Sequence, residues 1–109
     1  PTVREADGLA LSSRNVRLSA EDRRNAPKLA EALFAAAGRL AEGAPVAKVL
    51  PEARDAILAA GYQEVEYLEL RGEEDLAPLS ELDRPARLLV AAWIGGVRLI
   101  DNLPVAQPA

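Results

Sequence analysis

The stretch "ARLLVAAWIGGVRLIDNLPV", residues 86–105, decides the fold. Its first part, residues 86–94, is apolar apart from one arginine, and such a run predicts a central strand. The pair Gly95-Gly96 that follows is a two-residue hairpin signal. The chain is therefore expected to return antiparallel over residues 97–100, and residues 103–105 are expected to continue as an edge strand or tail.

A further strand is predicted upstream, over residues 62–70. Its apolar positions alternate with polar ones until Tyr67-Leu68, where the phase slips, and the slip predicts a β-bulge or burial on both faces. Residues 72–85 are acidic and contain prolines, which is typical of a surface connection. Together with the hairpin, this strand predicts a three-stranded antiparallel sheet.

Two long helices are predicted before the sheet. Ser19 is a good N-cap with Asp22 at the N3 position. Pro27 interrupts the short helix that begins there, so a second helix start or a kink is expected at that point. The first long helix then ends at Gly43, and the second runs over residues 46–60. Because the link between them is short, they are expected to pack as an antiparallel pair. The apolar stripe of the first long helix consists of Ala26, Leu29, Ala30, Leu33, Phe34, Ala37, Leu40 and Ala41.

The opening residues 1–18 predict a short β-loop element. Residues 2–5 and 9–11 are strand-like, and Asp7-Gly8 between them is a turn signal. The predicted fold is therefore α+β, with two antiparallel helices packed on a three-stranded antiparallel sheet, preceded by a short β-loop element. With 109 residues, the whole chain, 1–109, is expected to be one domain.

Composition excludes several classes of site. A net charge of −4 and a pI near 4.9 argue against a nucleic-acid or anionic-membrane surface. No apolar run reaches the length of a membrane span. The chain has neither cysteine nor histidine, which excludes thiolate chemistry, an imidazole base and structural zinc. We expect a cytoplasmic protein with no nucleic-acid or membrane partner, and no catalytic or metal-binding residue in this chain.

The polar and aromatic residues after the opening segment 1–18 are interpreted as structural and not as parts of a binding or catalytic site. Trp93 is expected in the core, and Asp101-Asn102 is expected to form a turn capped by its own side chains. The acidic residues 73–75 are interpreted as a solvated loop rather than a magnesium site. Three glutamates of the first predicted strand are interpreted as its solvated face: Glu64, Glu66 and Glu69.

The opening segment is different because it combines positive charge with small polar side chains. It contains three arginines against two carboxylates, whereas the rest of the chain is acidic. Ser12 and Ser13 each offer a hydroxyl and a backbone N–H, and Arg14 adds a planar fork of donors suited to phosphate. An anion site is one interpretation, and a capped turn that leads into the Ser19 helix is the other.

A longer string favours the anion site. "PTVREADGLALSSRNVRLS", residues 1–19, resembles the signature that opens the C-terminal domain of the pantothenate synthetase (pantoate–β-alanine ligase) family, which usually reads T-x-R-E-x-D-G-L-A-M-S-S-R-N. Only Leu11, where the family has methionine, departs from it, and the two side chains are similar in size and polarity. The strings "EYLELR" at 66–71 and residues 86–105 also resemble the family.

The resemblance implies an ATP- and Mg²⁺-dependent ligase that joins pantoate to β-alanine through a pantoyl adenylate and releases AMP and pyrophosphate. It implies that this chain is the C-terminal lid over a larger Rossmann-like N-terminal domain, which is absent here and holds most of the pantoate and β-alanine sites. The complete enzyme is expected to be a homodimer, and the isolated chain to be inactive.

The resemblance also assigns residues. Leu11, Ser12, Ser13 and Arg14 are expected to contact the ATP phosphates. Val3, with Thr2 beside it, is expected on the adenine side. Two alternatives are the lid of another adenylate-forming enzyme and a non-catalytic interaction or oligomerisation module.

Overall fold

A computed structural model describes residues 3–10 and 17–106 of the chain. The first helix is short, and Pro27 separates it from the next, as the sequence predicts. The short helix begins after Ser19, whose Oγ accepts a hydrogen bond from the Asp22 backbone N–H at 3.1 Å. The elements are α1 (Ala20–Asn25), α2 (Lys28–Ala41), α3 (Val46–Ala59), β1 (Glu64–Gly72), β2 (Ala86–Ile94) and β3 (Val97–Val105).

The three strands form one antiparallel sheet in the order β1-β2-β3, so β2 is central as predicted. The hairpin turn falls at Gly95-Gly96, where both residues have positive φ. The register of β1 against β2 shifts between Val65 and Tyr67, next to the predicted slip at Tyr67-Leu68, so of the two predicted alternatives the structure has the bulge. β3 runs without a break to Val105, whereas the sequence predicts two separate pieces.

The two long helices cover one face of this sheet. α2 lies against β3 and α3 lies against β1. The face of β2 that meets the helices is buried at every second residue, as the pleat requires. The largest side chains packed between the layers include Leu29, Leu33, Leu40, Ile57, Leu88 and Ile94. The structure confirms the α+β class.

The opposite face of the sheet is half-exposed, and Trp93 lies on it. Its indole Nε1 donates to Glu66 Oε1 at 3.1 Å, and the carboxylate of Glu66 also accepts from Arg98 at 2.8 Å. The prediction that Trp93 lies in the core is therefore wrong. Because nearly every residue of β2 is apolar, hydropathy cannot show which face a given side chain takes.

The short helix α1 is held against the end of the sheet. The Tyr62 hydroxyl donates to the Ala26 carbonyl at 2.7 Å, just after α1 ends. Gly95 lies so close to the carboxylate of Asp22 that a Cβ on Gly95 would collide with it. Arg23 of α1 in turn forms ion pairs with Glu5 and Asp7 of the opening element.

No helix in the described part of the chain is long and apolar enough to cross a membrane.

Candidate functional site

Residues 3–10 fold into a small turn, as the predicted β-loop element requires. Arg4 and Ala10 form an antiparallel bridge. Inside it, the Glu5 N–H donates to the Leu9 carbonyl at 2.8 Å and the Gly8 N–H donates to the Glu5 carbonyl at 2.9 Å. Gly8 has a φ of +94°, which favours glycine, and Leu9 is buried against the helical layer.

An ion pair joins this turn to β3. Arg4 Nη1 donates to Asp101 Oδ2 at 2.6 Å, and Arg4 Nη2 donates to Asp101 Oδ1 at 2.8 Å. The same two nitrogens also donate to the carbonyls of Gly8 at 2.9 Å and Asn102 at 3.3 Å. Each terminal nitrogen of the guanidinium therefore has an acceptor for both of its hydrogens.

Asp101 lies in the middle of β3, opposite Val90, and its side chain is 2% exposed. The prediction of a capped turn at Asp101-Asn102 is therefore wrong. A carboxylate can occupy a buried strand position only when its charge is paired, and the partner is 97 positions away in sequence. Burial, and secondarily the charge of Asp101, raise the pKa of the Tyr62 hydroxyl.

Phe34 of α2 covers the face of the Arg4 guanidinium. Its ring centroid lies 5.0 Å from Arg4 Cζ, which is cation–π geometry. The ring is not part of the core, because Phe34 is 50% exposed, so its assignment to the buried stripe of this helix is wrong. The reason is that an aromatic ring at the margin of a helical stripe can cover a cation instead of packing inward.

A second arginine holds the turn from the other side. Arg23 of α1 donates from Nη1 to Asp7 Oδ2 at 2.7 Å and from Nη2 to Glu5 Oε1 at 3.1 Å. The hydrogen bond from Arg23 lowers the pKa of the Asp7 carboxyl below its ordinary value. Asp7 also accepts from the Leu9 N–H at 3.2 Å, which ties the side chain to its own turn.

Of the residues that the sequence assigns to an ATP site, the structure places Val3. Its side chain is 67% exposed and lies next to Arg4 in the chain. Thr2, Leu11, Ser12, Ser13 and Arg14 lie outside the described residues. The described residues that flank them are Ala10, which is bridged to Arg4, and Arg17, which precedes the Ser19 cap.

Several residues of this region were missed by sequence reasoning. Arg4, Asp101, Arg23 and Phe34 are separated along the chain, and nothing in their local patterns shows that they converge. Among residues 3–10 and 17–106, no group of three or more acidic side chains could hold a metal ion.

Comparison with known proteins agrees with this architecture. A family model described as pantoate-beta-alanine ligase matches residues 1–104. Pantothenate synthetase from Chelativorans sp. (strain BNC1) is 94% identical over 109 residues, which are 100% of this chain and 38% of that protein. The pantothenate synthetase of Cereibacter sphaeroides (strain ATCC 17029 / ATH 2.4.9) is 58% identical over 104 residues, or 95% of this chain and 37% of the relative.

Solved structures show the same fold. A crystal structure of pantothenate synthetase from Thermus thermophilus has a TM-score of 0.84 and 47% identity, covering 94% of this chain and 37% of that one. Pantoate-beta-alanine ligase from Francisella tularensis, complexed with beta-gamma ATP and beta-alanine, has a TM-score of 0.62 and 31% identity, covering 94% and 31%. The chain spans 38% of the length of its Chelativorans relative. With a family model matched from residue 1 to residue 104, this chain belongs to the pantoate–β-alanine ligase family.

Proposed function

We propose that this chain is the ATP-binding lid domain of a ligase that joins pantoate to β-alanine. One observation carries the proposal: the chain matches, over its whole length and at 94% identity, part of an enzyme named pantothenate synthetase. The Francisella relative was solved with an ATP compound and β-alanine, which supports ATP as the nucleotide. Residues 1–109 form one domain in this proposal, and a separate N-terminal domain holds pantoate and β-alanine.

The proposed reaction has two steps. A carboxylate oxygen of pantoate attacks the α-phosphorus of ATP, forming a pantoyl adenylate as pyrophosphate leaves. The amine of β-alanine then attacks the pantoyl carbonyl carbon, the new amide bond forms, the amine loses a proton, and AMP leaves. Negative charge builds up on the departing phosphates, and fixed donors stabilise it without any covalent step on the protein.

The donors proposed for this charge are the hydroxyls and N–H groups of Ser12 and Ser13 and the guanidinium of Arg14, with the backbone of Leu11. Val3 and Thr2 are proposed on the adenine side, and the exposure of Val3 leaves an apolar side chain available to a ring. Arg4 is a poor candidate for a phosphate ligand, because its terminal donors are occupied within the protein.

Mg²⁺ is expected with the ATP phosphates in the complete enzyme. The described residues offer no acidic cluster that fits a metal ion, so no step of the proposal depends on a metal held by them. The homodimeric state of the complete enzyme, the cytoplasmic location and the inactivity of the isolated chain stay predictions.

The experiment that tests the proposal uses a complete enzyme. The corresponding 109 residues of the Chelativorans synthetase are replaced by this chain, and AMP formation is measured with ATP, pantoate and β-alanine. We expect the hybrid enzyme to form AMP, the 109-residue chain alone to form none, and Arg14→Ala to lower the adenylation rate about a hundredfold or more.

Arg39→Ala is the matched control, because Arg39 pairs with Glu52 on the exposed surface between the helices at 2.9 Å. It removes the same charge from the same domain and should leave turnover unchanged. Turnover of Arg14→Ala equal to that of the control would remove Arg14 from the site. A hybrid that folds but forms no AMP would contradict the ligase assignment and favour the lid of a different adenylate-forming enzyme.

A further inference from the structure

Asp101 is the one buried charged residue among residues 3–10 and 17–106. A buried ion pair is a weak source of stability, because removing both charges from water offsets much of their attraction. Its clearer physical effect is geometric, since a planar, bidentate pair accepts few alternative arrangements.

The pair defines where the opening turn lies on the sheet. Two acceptors of the Arg4 guanidinium, the Asp101 carboxylate and the Asn102 carbonyl, belong to β3. The third, the Gly8 carbonyl, belongs to the turn itself. Phe34 adds a contact from α2 on the face of the same group. One guanidinium thus joins the turn to a strand and a helix, and sets both its position and its orientation.

The position of Arg4 constrains the backbone of Ala10. These two residues form an antiparallel bridge, so the backbone at Ala10 runs alongside Arg4 in the opposite direction. Leu9, which precedes it, is buried and cannot shift without opening the core. The residue after Ala10 is Leu11, the first of those proposed to contact the ATP phosphates. On its other side the turn is held by Arg23 of α1.

We propose that Arg4 and Asp101 are a positioning pair that fixes Ala10, the residue after which the proposed ATP-binding segment begins. This inference rests on the proposed function and adds two residues that act on ATP only through that segment. Arg4 is not an ATP ligand in this account, because its terminal donors face protein acceptors. The pair holds the turn up to Ala10, so less of the chain before Ser12, Ser13 and Arg14 has to be ordered when ATP binds.

The test uses the complete hybrid enzyme with three single substitutions: Arg4→Met, Arg4→Lys and Asp101→Asn. Met keeps an unbranched apolar stem over Phe34, Lys keeps the charge without the bidentate fork, and Asn keeps the shape without the charge. For Arg4→Met and Asp101→Asn, we expect kcat/KM for ATP to fall about ten- to a hundredfold, because donors displaced by a fraction of an ångström stabilise the phosphates poorly. Arg4→Lys should restore part of the loss.

Two readouts separate positioning from general damage. The KM for pantoate should stay within about twofold of the parent value, because the pantoate site is proposed in the other domain. The double variant Arg4→Met/Asp101→Asn should lose no more than the worse single variant, since both changes disrupt one pair. Arg39→Met and Glu52→Gln form the matched control pair and should change neither constant.

The outcomes are distinguishable from failure of the proposed function. If Arg14→Ala slows adenylation but folded Arg4→Lys and Asp101→Asn leave kcat/KM for ATP unchanged, the positioning role is overturned and the proposed function stands. If Arg4→Met loses activity and Asp101→Asn does not, Arg4 acts without Asp101 and the pair is overturned. If Arg14→Ala itself has no effect, the proposed function fails first.

Discussion

The body of the domain and its opening element are held together by different forces. In the body, α2 and α3 bury continuous apolar stripes on one face of the sheet. In residues 3–10, Leu9 is the one buried apolar side chain, and the other attachments are ion pairs from Arg4 and Arg23. Apolar burial is non-directional, whereas a bidentate ion pair specifies an angle and a distance. The opening element is thus built for position more than for stability.

The largest expected effect falls on the body. Leu33→Ala should lower the free energy of unfolding of the chain by about 2–5 kcal/mol, because it leaves a cavity where α2 meets the sheet. Urea denaturation followed by far-UV circular dichroism measures the change. Leu58→Ala, at a position 37% exposed, is the matched control and should cost less than about 1 kcal/mol. Equal losses for the two would contradict the assignment of the core.

A smaller, local effect is expected at the junction of the two regions. Asp101→Asn weakens the hold of Arg4 and should lower the free energy of unfolding by about 1–3 kcal/mol. Its clearer signature is hydrogen exchange: the amides of Glu5 and Gly8, which close the opening turn, should exchange faster, while those of the central strand β2 change little. Uniform acceleration across the sheet would show that Asp101 supports the body instead of the turn.

The smallest effect concerns pH. The hydrogen bond from Arg23 lowers the pKa of Asp7, so ionised Asp7 stabilises the folded chain. This stabilisation is fully present at pH values above the ordinary carboxyl pKa of 3.8, and it is lost as the pH falls through the lowered pKa. The side chains of Arg23 and Asp7 are 29% and 44% exposed, so solvent screens the pair and its contribution should not exceed about 1 kcal/mol. In Arg23→Met, the pKa of Asp7 measured by NMR titration should return towards 3.8. An unchanged pKa would show that Arg23 does not hold the turn.

The contrast between the two regions also explains what could be predicted from the sequence. The helices, the hairpin at Gly95-Gly96 and the bulge in β1 follow from short-range periodicity and turn chemistry, and the structure confirms them. The partners of Asp101 and Phe34 do not follow, because ion pairs and cation–π contacts leave no periodic signal. The prediction for Trp93 failed for a different reason: when nearly every residue of a strand is apolar, the sequence does not show which side chains face the core.

The candidate site shows the same division. Its residue types suggested an anion site, but the family signature was needed to choose ATP phosphates over a capped turn. The contact between Arg4 and Asp101 is visible only in the three-dimensional structure, since the two residues are 97 positions apart.

The most direct test of the central claim is a single-turnover measurement of pyrophosphate release by the complete hybrid enzyme, with ATP and pantoate but no β-alanine. This isolates adenylation, the step in which residues 11–14 are proposed to act. We predict that Arg14→Ala slows the release about a hundredfold or more, that Asp101→Asn slows it by a smaller factor, and that Arg39→Ala leaves it unchanged. Parent-like release rates in both Arg14→Ala and Asp101→Asn would contradict the account.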